Sequence, residues 1–211
     1  MNGGLAGGLA GGPASATPPT SMKRRTAIAL GTAATLSGLL SWRLTRFPSD
    51  TTPEGAYLRV ALSISKGDSR SCFAYLEERA QHAAFTIRDY RRRSRDRIAE
   101  SYPEPERSQR IALYQAHADA SDGADVWTEM ATRLGWITRL RRDLSGMARV
   151  EVAGERATLE TARGTRYPFR RRDNGIWGLT MFTAELEAEA ERAARDWEVV
   201  ERAALDYERA R

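Results

Sequence analysis

The chain has 211 residues, 41% of them hydrophobic, enough for the core of one ordinary domain plus tails and too many for a wholly disordered protein. Its 33 basic residues face 28 acidic ones, so the net charge of +5 marks a heavily charged surface and not a polycation. Cys72 is the single cysteine, which excludes an intrachain disulfide and any cysteine-built metal site.

Residues 1–21 are Gly, Ala, Pro, Ser and Thr with almost no large side chain, and are expected to be a disordered low-complexity tail. Met22-Lys23-Arg24-Arg25 then looks like a second start site, followed by the uncharged run Ala27–Trp42. A basic stretch leading into an apolar one is how secretory signals and signal anchors begin. Trp42 to Phe47 offers no small-x-small cleavage site. Residues 22–46 are therefore expected to be an uncleaved signal anchor, a single transmembrane helix through residues 27–42, with a cleaved signal as the alternative. Lys23, Arg24 and Arg25 flank it on one side, and Arg43 and Arg46 on the other. That small excess slightly favours the N-terminus in the cytoplasm, so the following domain is expected outside it, on the periplasmic face of the cytoplasmic membrane.

Residues 47–52 read as a linker. A first helix opens with Thr52 as cap, Pro53 at the first turn and Glu54 at the positive dipole end; Tyr57, Val60, Ala61 and Ile64 form its buried stripe. Gly67 ends it, and Asp68 or Ser69 caps a second helix with Phe73, Leu76, Ala80, Ala83, Ile87 and Tyr90 at helical spacing. This helix is expected to run to Ser101, ahead of Pro103, with a break near Ala83 as an option. It carries Arg88, Arg91, Arg92, Arg93, Arg95 and Arg97. The interspersed Asp89, Asp96 and Glu100, and the lack of an aromatic ladder, favour a solvated helix face over a nucleic-acid patch. A third helix is predicted over Glu104–Asp119 with Ile111, Tyr114 and Ala118 inward. A fourth follows through Val126, Trp127, Met130 and Leu134, and another turn or two after Gly135.

Met147–Phe182 changes period. Val150 and Val152 alternate with Arg149 and Glu151, Ala157 and Leu159 with Thr158 and Glu160, Tyr167 and Phe169 with arginines, and Trp177, Leu179 and Met181 share one parity. Period two with Gly154, Gly164 and Asp173-Asn174-Gly175 between the segments predicts a four-stranded antiparallel meander covered on one face. Pro168 falls inside a strand, which calls for an edge or a bulge. Thr183 is expected to cap a long C-terminal amphipathic helix over 183–211, whose thin, alanine-rich stripe leaves weak homo-oligomerisation open. The fold class is α+β: N-terminal helices on one face of the meander, then the long helix, with residues 53–182 as the main domain.

No serine sits in a nucleophile elbow and no glycine-rich loop opens a helix after a strand. His82 and His117 are the only histidines, and the acids from Asp119 to Asp125 lack the alternation of a calcium loop. No catalytic residue, cofactor or metal ligand is assigned. Trp136, Tyr167, Phe169, Trp177 and Leu179 are candidates to line a pocket under the sheet, although aromatics there usually belong to a core.

The Lys66-Gly67-Asp68 joint between short helices, followed by a meander containing the hairpin Gly164–Leu179 with Asp173-Asn174-Gly175-Ile176-Trp177, resembles the nuclear-transport-factor-2-like, or cystatin-like, α+β fold. In particular the chain is similar to small membrane-tethered bacterial proteins of that class. The resemblance covers roughly residues 53–182. It implies a half-cone of helices over a curved sheet, a scaffold shared by binding domains and by isomerases and hydrolases whose catalytic sets have no match here. The expected function is a non-catalytic, membrane-anchored domain that binds a protein partner, or a small ligand, at the open side of the sheet. The alternatives are an enzyme using the cone as a pocket, and a basic module holding nucleic acid through Arg88–Arg97.

Overall fold

The computed structural model describes residues 48–211, which form one compact unit of α+β class: helices packed against a four-stranded antiparallel sheet, with a long C-terminal helix. The tail 1–21 and the segment 22–46 lie outside the described residues. Among the described residues no helix is long and apolar enough to cross a membrane. The expected transmembrane helix, signal anchor and single-pass periplasmic location are corrected on that finding. Its physical reason is that the two longest helices, of 24 and 27 residues, carry charge along most of their length and bury only a stripe.

Helix α1 (Pro53–Ser65) starts as its residues dictate: the Thr52 side chain accepts from Gly55 N at 3.1 Å. Asp68 caps the one-turn helix α2 (Ser69–Cys72), which passes into a 3₁₀ turn at Phe73–Tyr75. The expected second helix is thus broken at Leu76-Glu77 and not near Ala83. Leu76 leaves the helical path because it makes a parallel bridge to Leu179, and Glu77 N donates to Leu179 O at 3.0 Å. Helix α3 (Glu78–Ser101) follows, then α4 (Glu106–Ala118), α5 (Gly123–Arg133) and α6 (Trp136–Asp143). Gly135, at φ 70°, separates the last two, and Leu134 there is 46% exposed where burial was expected.

Strands β1 (Met147–Ala153), β2 (Arg156–Thr161), β3 (Arg166–Arg171) and β4 (Trp177–Leu179) pair in sequence order, all antiparallel. Leu159, Tyr167, Phe169 and Leu179 face α1 and the aromatic cluster Trp127, Trp136 and Phe182, where Trp136 and Phe182 stack at 4.8 Å. Coverage is incomplete at β1, where Val150 alone is partly buried and Val152 is 58% exposed.

Pro168 sits in an interior strand without a bulge. The pairing resolves the conflict: Thr180 N donates to Pro168 O at 3.0 Å, but Pro168 has no N–H to return. Thr180 O accepts instead from Thr183 N at 3.2 Å, which starts the final helix. Pro168 therefore ends the β3–β4 ladder and keeps β4 short. Helix α7 (Thr183–Arg209) begins with Phe182 at the cap position, and Thr183 does not cap: its hydroxyl lies 2.8 Å from Glu77 Oε2. The C-terminal halves of α3 and α7 enclose a second small core with α4, built on Ile98, Tyr102, Val200 and Ala204.

Candidate functional site

The kink at Leu76-Glu77 carries a buried carboxylate to the sheet's outer face. Gly178 makes this possible, because a Cβ there would stand 2.7 Å from both Leu76 O and Glu77 Cα. Glu77 is 6% exposed, and its free oxygen faces Arg170 Nη1 at 3.4 Å. It stands where a helix cap would be but makes no capping bond, since its side chain is committed to Thr183 and Arg170.

Around this carboxylate lies a cleft of about 360 Å³, lined on the sheet side by Arg156, Thr158, Pro168 and Arg170 and on the helix side by Arg79 and Thr180. The alternation of the strands puts Arg156, Thr158, Pro168 and Arg170 on the face opposite the core. Arg170 and Arg156 are directly paired across β2 and β3, bringing two like charges side by side. Arg79 adds a third guanidinium, bridged to Glu187 at 2.7 Å but 61% exposed. Among the described residues Arg156 and Arg171 have no ion-pair partner. A second cleft of about 210 Å³ adjoins the first through Glu77, Arg79 and Arg170 and adds Arg171, Arg172, Glu78, Glu155 and Asp173. Arg172 is held there by neutral acceptors, Ala74 O at 2.7 Å and Gln81 Oε1 at 2.8 Å.

The five candidates for an inner pocket are brought together, but as packing: Trp136, Tyr167, Trp177 and Leu179 are buried, and Phe169 is 2% exposed. Trp177 spends its Nε1 on Thr51 O at 3.1 Å. Among the described residues the buried Tyr167 hydroxyl meets no hydrogen-bond partner, and burial pushes its pKa up to about 12. The Cys72 thiol is likewise pushed up to about 12 by burial, so it is a packed small side chain and not a nucleophile.

The arginine run on α3 is internally spent. Arg91 reaches Glu189 and Asp196, Arg92 the carbonyls of Ala118 and Ala120, Arg95 Asp96 and Asp119, and Arg97 Glu201 and Glu208. Arg93 lies over Trp197 at 4.5 Å. Among the acids after His117, Asp122 caps α5, Asp125 binds Arg70 and Ser121, and His117 itself meets Glu129 at 2.6 Å. Among the described residues no group of three or more potential ligands could hold a metal ion.

Arg79, Arg156 and Glu77 were not singled out by sequence. The available signal was an acid-rich Glu77-Glu78 with no Ser, Thr, Asp or Asn cap before a long helix, together with arginines on the outer parity of β2 and β3. No family model matches the chain, and no curated protein or solved structure matches it.

Proposed function

We propose that this chain is a non-catalytic binding domain that holds an acidic segment of a protein partner on the open face of its sheet, with the nuclear-transport-factor-2-like arrangement as its scaffold. One observation carries the reading: three guanidiniums, from Arg79, Arg156 and Arg170, converge on a cleft whose one carboxylate, Glu77, is already engaged. Guanidinium forks suit carboxylates in geometry as well as charge, and Thr158 adds a neutral donor. The interior that an enzyme of this scaffold would use is filled by aromatic side chains, which supports binding over catalysis.

Fluorescence anisotropy with a labelled oligoglutamate peptide tests this. Binding is expected at low salt and should fade as salt screens it. Arg156→Ala and Arg79→Ala should each weaken it about five- to tenfold, the net worth of one ordinary hydrogen bond at an exposed site. Arg93→Ala, away from the cleft, should leave it unchanged. Absence of binding at low salt, or equal loss from all three variants, would overturn the reading.

A further inference from the structure

The two edges of the sheet differ. The outer edge of β4 is closed by Leu76, through its bridge to Leu179 and the bond from Glu77 N. Among the described residues the outer edge of β1 has no neighbour, and Met147 and Val152 are 39% and 58% exposed on it. Natural edges of this kind are usually blunted, and here a bulge between Met147 and Arg149 shortens the free stretch without removing it.

The ladder phase shows which groups that edge offers. Arg171 N donates to Glu155 O at 2.8 Å, so residue 155 bonds towards β3. Alternation then turns Arg156, Thr158 and Glu160 towards β1, where they face Ala153, Glu151 and Arg149. Val150 and Val152, the intervening residues, point their N–H and C=O groups away from β2 to the open side.

We infer that β1 is the interface for a second copy of this chain, the two β1 strands pairing antiparallel about Val150. This register makes Val150 and its counterpart a reciprocal hydrogen-bonded pair. It also sets Arg149 opposite Glu151 of the partner subunit, and Glu151 opposite Arg149 of the partner subunit. Among the described residues those two side chains pair with each other alone, at 2.8 Å and at 70% and 59% exposure. Other centres fail on charge or length. Pairing about Arg149 or Glu151 would set like charges directly opposite each other. Pairing about Val152 drives the partner into the turn at Gly154. On the core face, Val150 meets its counterpart and the apolar row from Leu179 through Phe169 and Ala157 to Val152 gains a continuation. The result is an eight-stranded sheet with one arginine-lined cleft on each half. Because the bulge limits the ladder, the interface is small and the dimer is weak, with a Kd in the micromolar range or above.

Sedimentation velocity of the full chain, from low to high micromolar, tests this. Wild type is expected to pass from monomer to dimer. Arg149→Glu, which opposes Glu to Glu twice, should weaken the dimer about tenfold or more, and the swap R149E/E151R should restore it to within about threefold. Val150→Pro removes the central outward N–H and should abolish it. Circular dichroism confirms folding, and if Val150→Pro unfolds the chain, the charge swap decides alone, since both side chains are exposed. A chain monomeric over the whole range overturns the inference. So does a dimer indifferent to Arg149→Glu, which would place the contact elsewhere, such as on α7.

Discussion

At Gly178 the absence of a side chain sets the position of a whole segment. A Cβ would meet backbone atoms of Leu76 and Glu77 at 2.7–2.8 Å, and backbone cannot swing aside as a long side chain can. Gly178→Ala is therefore expected to cost about 2 kcal/mol, the range of overpacked sites, and to loosen Glu77 from Thr183. Urea unfolding measures the first effect; an unchanged midpoint would mean that the Leu76-Glu77 kink is not fixed by β4.

Two other residues give the chain an alkaline limit. Cys72 and Tyr167 are acids whose pKa in the fold is raised by burial to about 12, from ordinary values of 9.0 and 10.0. Between those limits the folded state holds protons that the unfolded chain has released, so stability falls as pH rises. Their contribution is complete below pH 9.0 and is lost on the way to about pH 12. Thermal unfolding followed from pH 8 upward should show a midpoint that begins to drop above the ordinary thiol value. Thiol titration with a disulfide reagent should find Cys72 unreactive in the native protein and reactive after denaturation.

At the scale of elements, α3 and α7 are held by a buried ion cluster as much as by their apolar stripes. Arg91, with 8% of its side chain exposed, sits between Glu189 at 2.8 Å and Asp196 and stacks on Tyr114 at 4.9 Å. Burial opposes its charge, but the two carboxylates outweigh that and raise its pKa. Removing Arg91 leaves the largely buried Glu189 with the exposed Arg192 as its remaining partner, so Arg91→Ala is expected to destabilise by roughly 2–3 kcal/mol. Arg79→Ala, exposed and bridged only to Glu187, should cost less than about 1 kcal/mol. Comparable losses from both would contradict the cluster.

Much of this level was legible in the sequence. The strands from Val150 to Leu179 show their period in the side chains themselves, and Thr52-Pro53-Glu54 writes the start of α1 locally. The break at Leu76-Glu77 was not legible, because the pattern Leu76, Ala80, Ala83 continues helically through it and only pairing with the distant Leu179 interrupts it. Thr183 misled for the same reason: a residue suited to capping is taken instead by the Glu77 carboxylate. The cleft was illegible because it needs β2, β3 and the N-terminus of α3 in one place, which no spacing along the chain reveals.

For the described residues as a whole, the core and the candidate site lie on opposite faces of one thin sheet. The inner face is closed by α1 and the aromatic cluster, and the outer face keeps its arginines in water at the foot of α3 and α7. Helix α3 joins this body to the second core around Tyr102 and Val200, so the two packed regions share one rigid element. The direct measurement is an amide chemical-shift map of the full chain titrated with an oligoglutamate peptide at low salt. Shifts should concentrate at Arg79, Arg156, Thr158, Arg170 and Thr180, with little change along Arg88–Arg97. Shifts centred on the α3 arginine run, or none at all, would contradict the account.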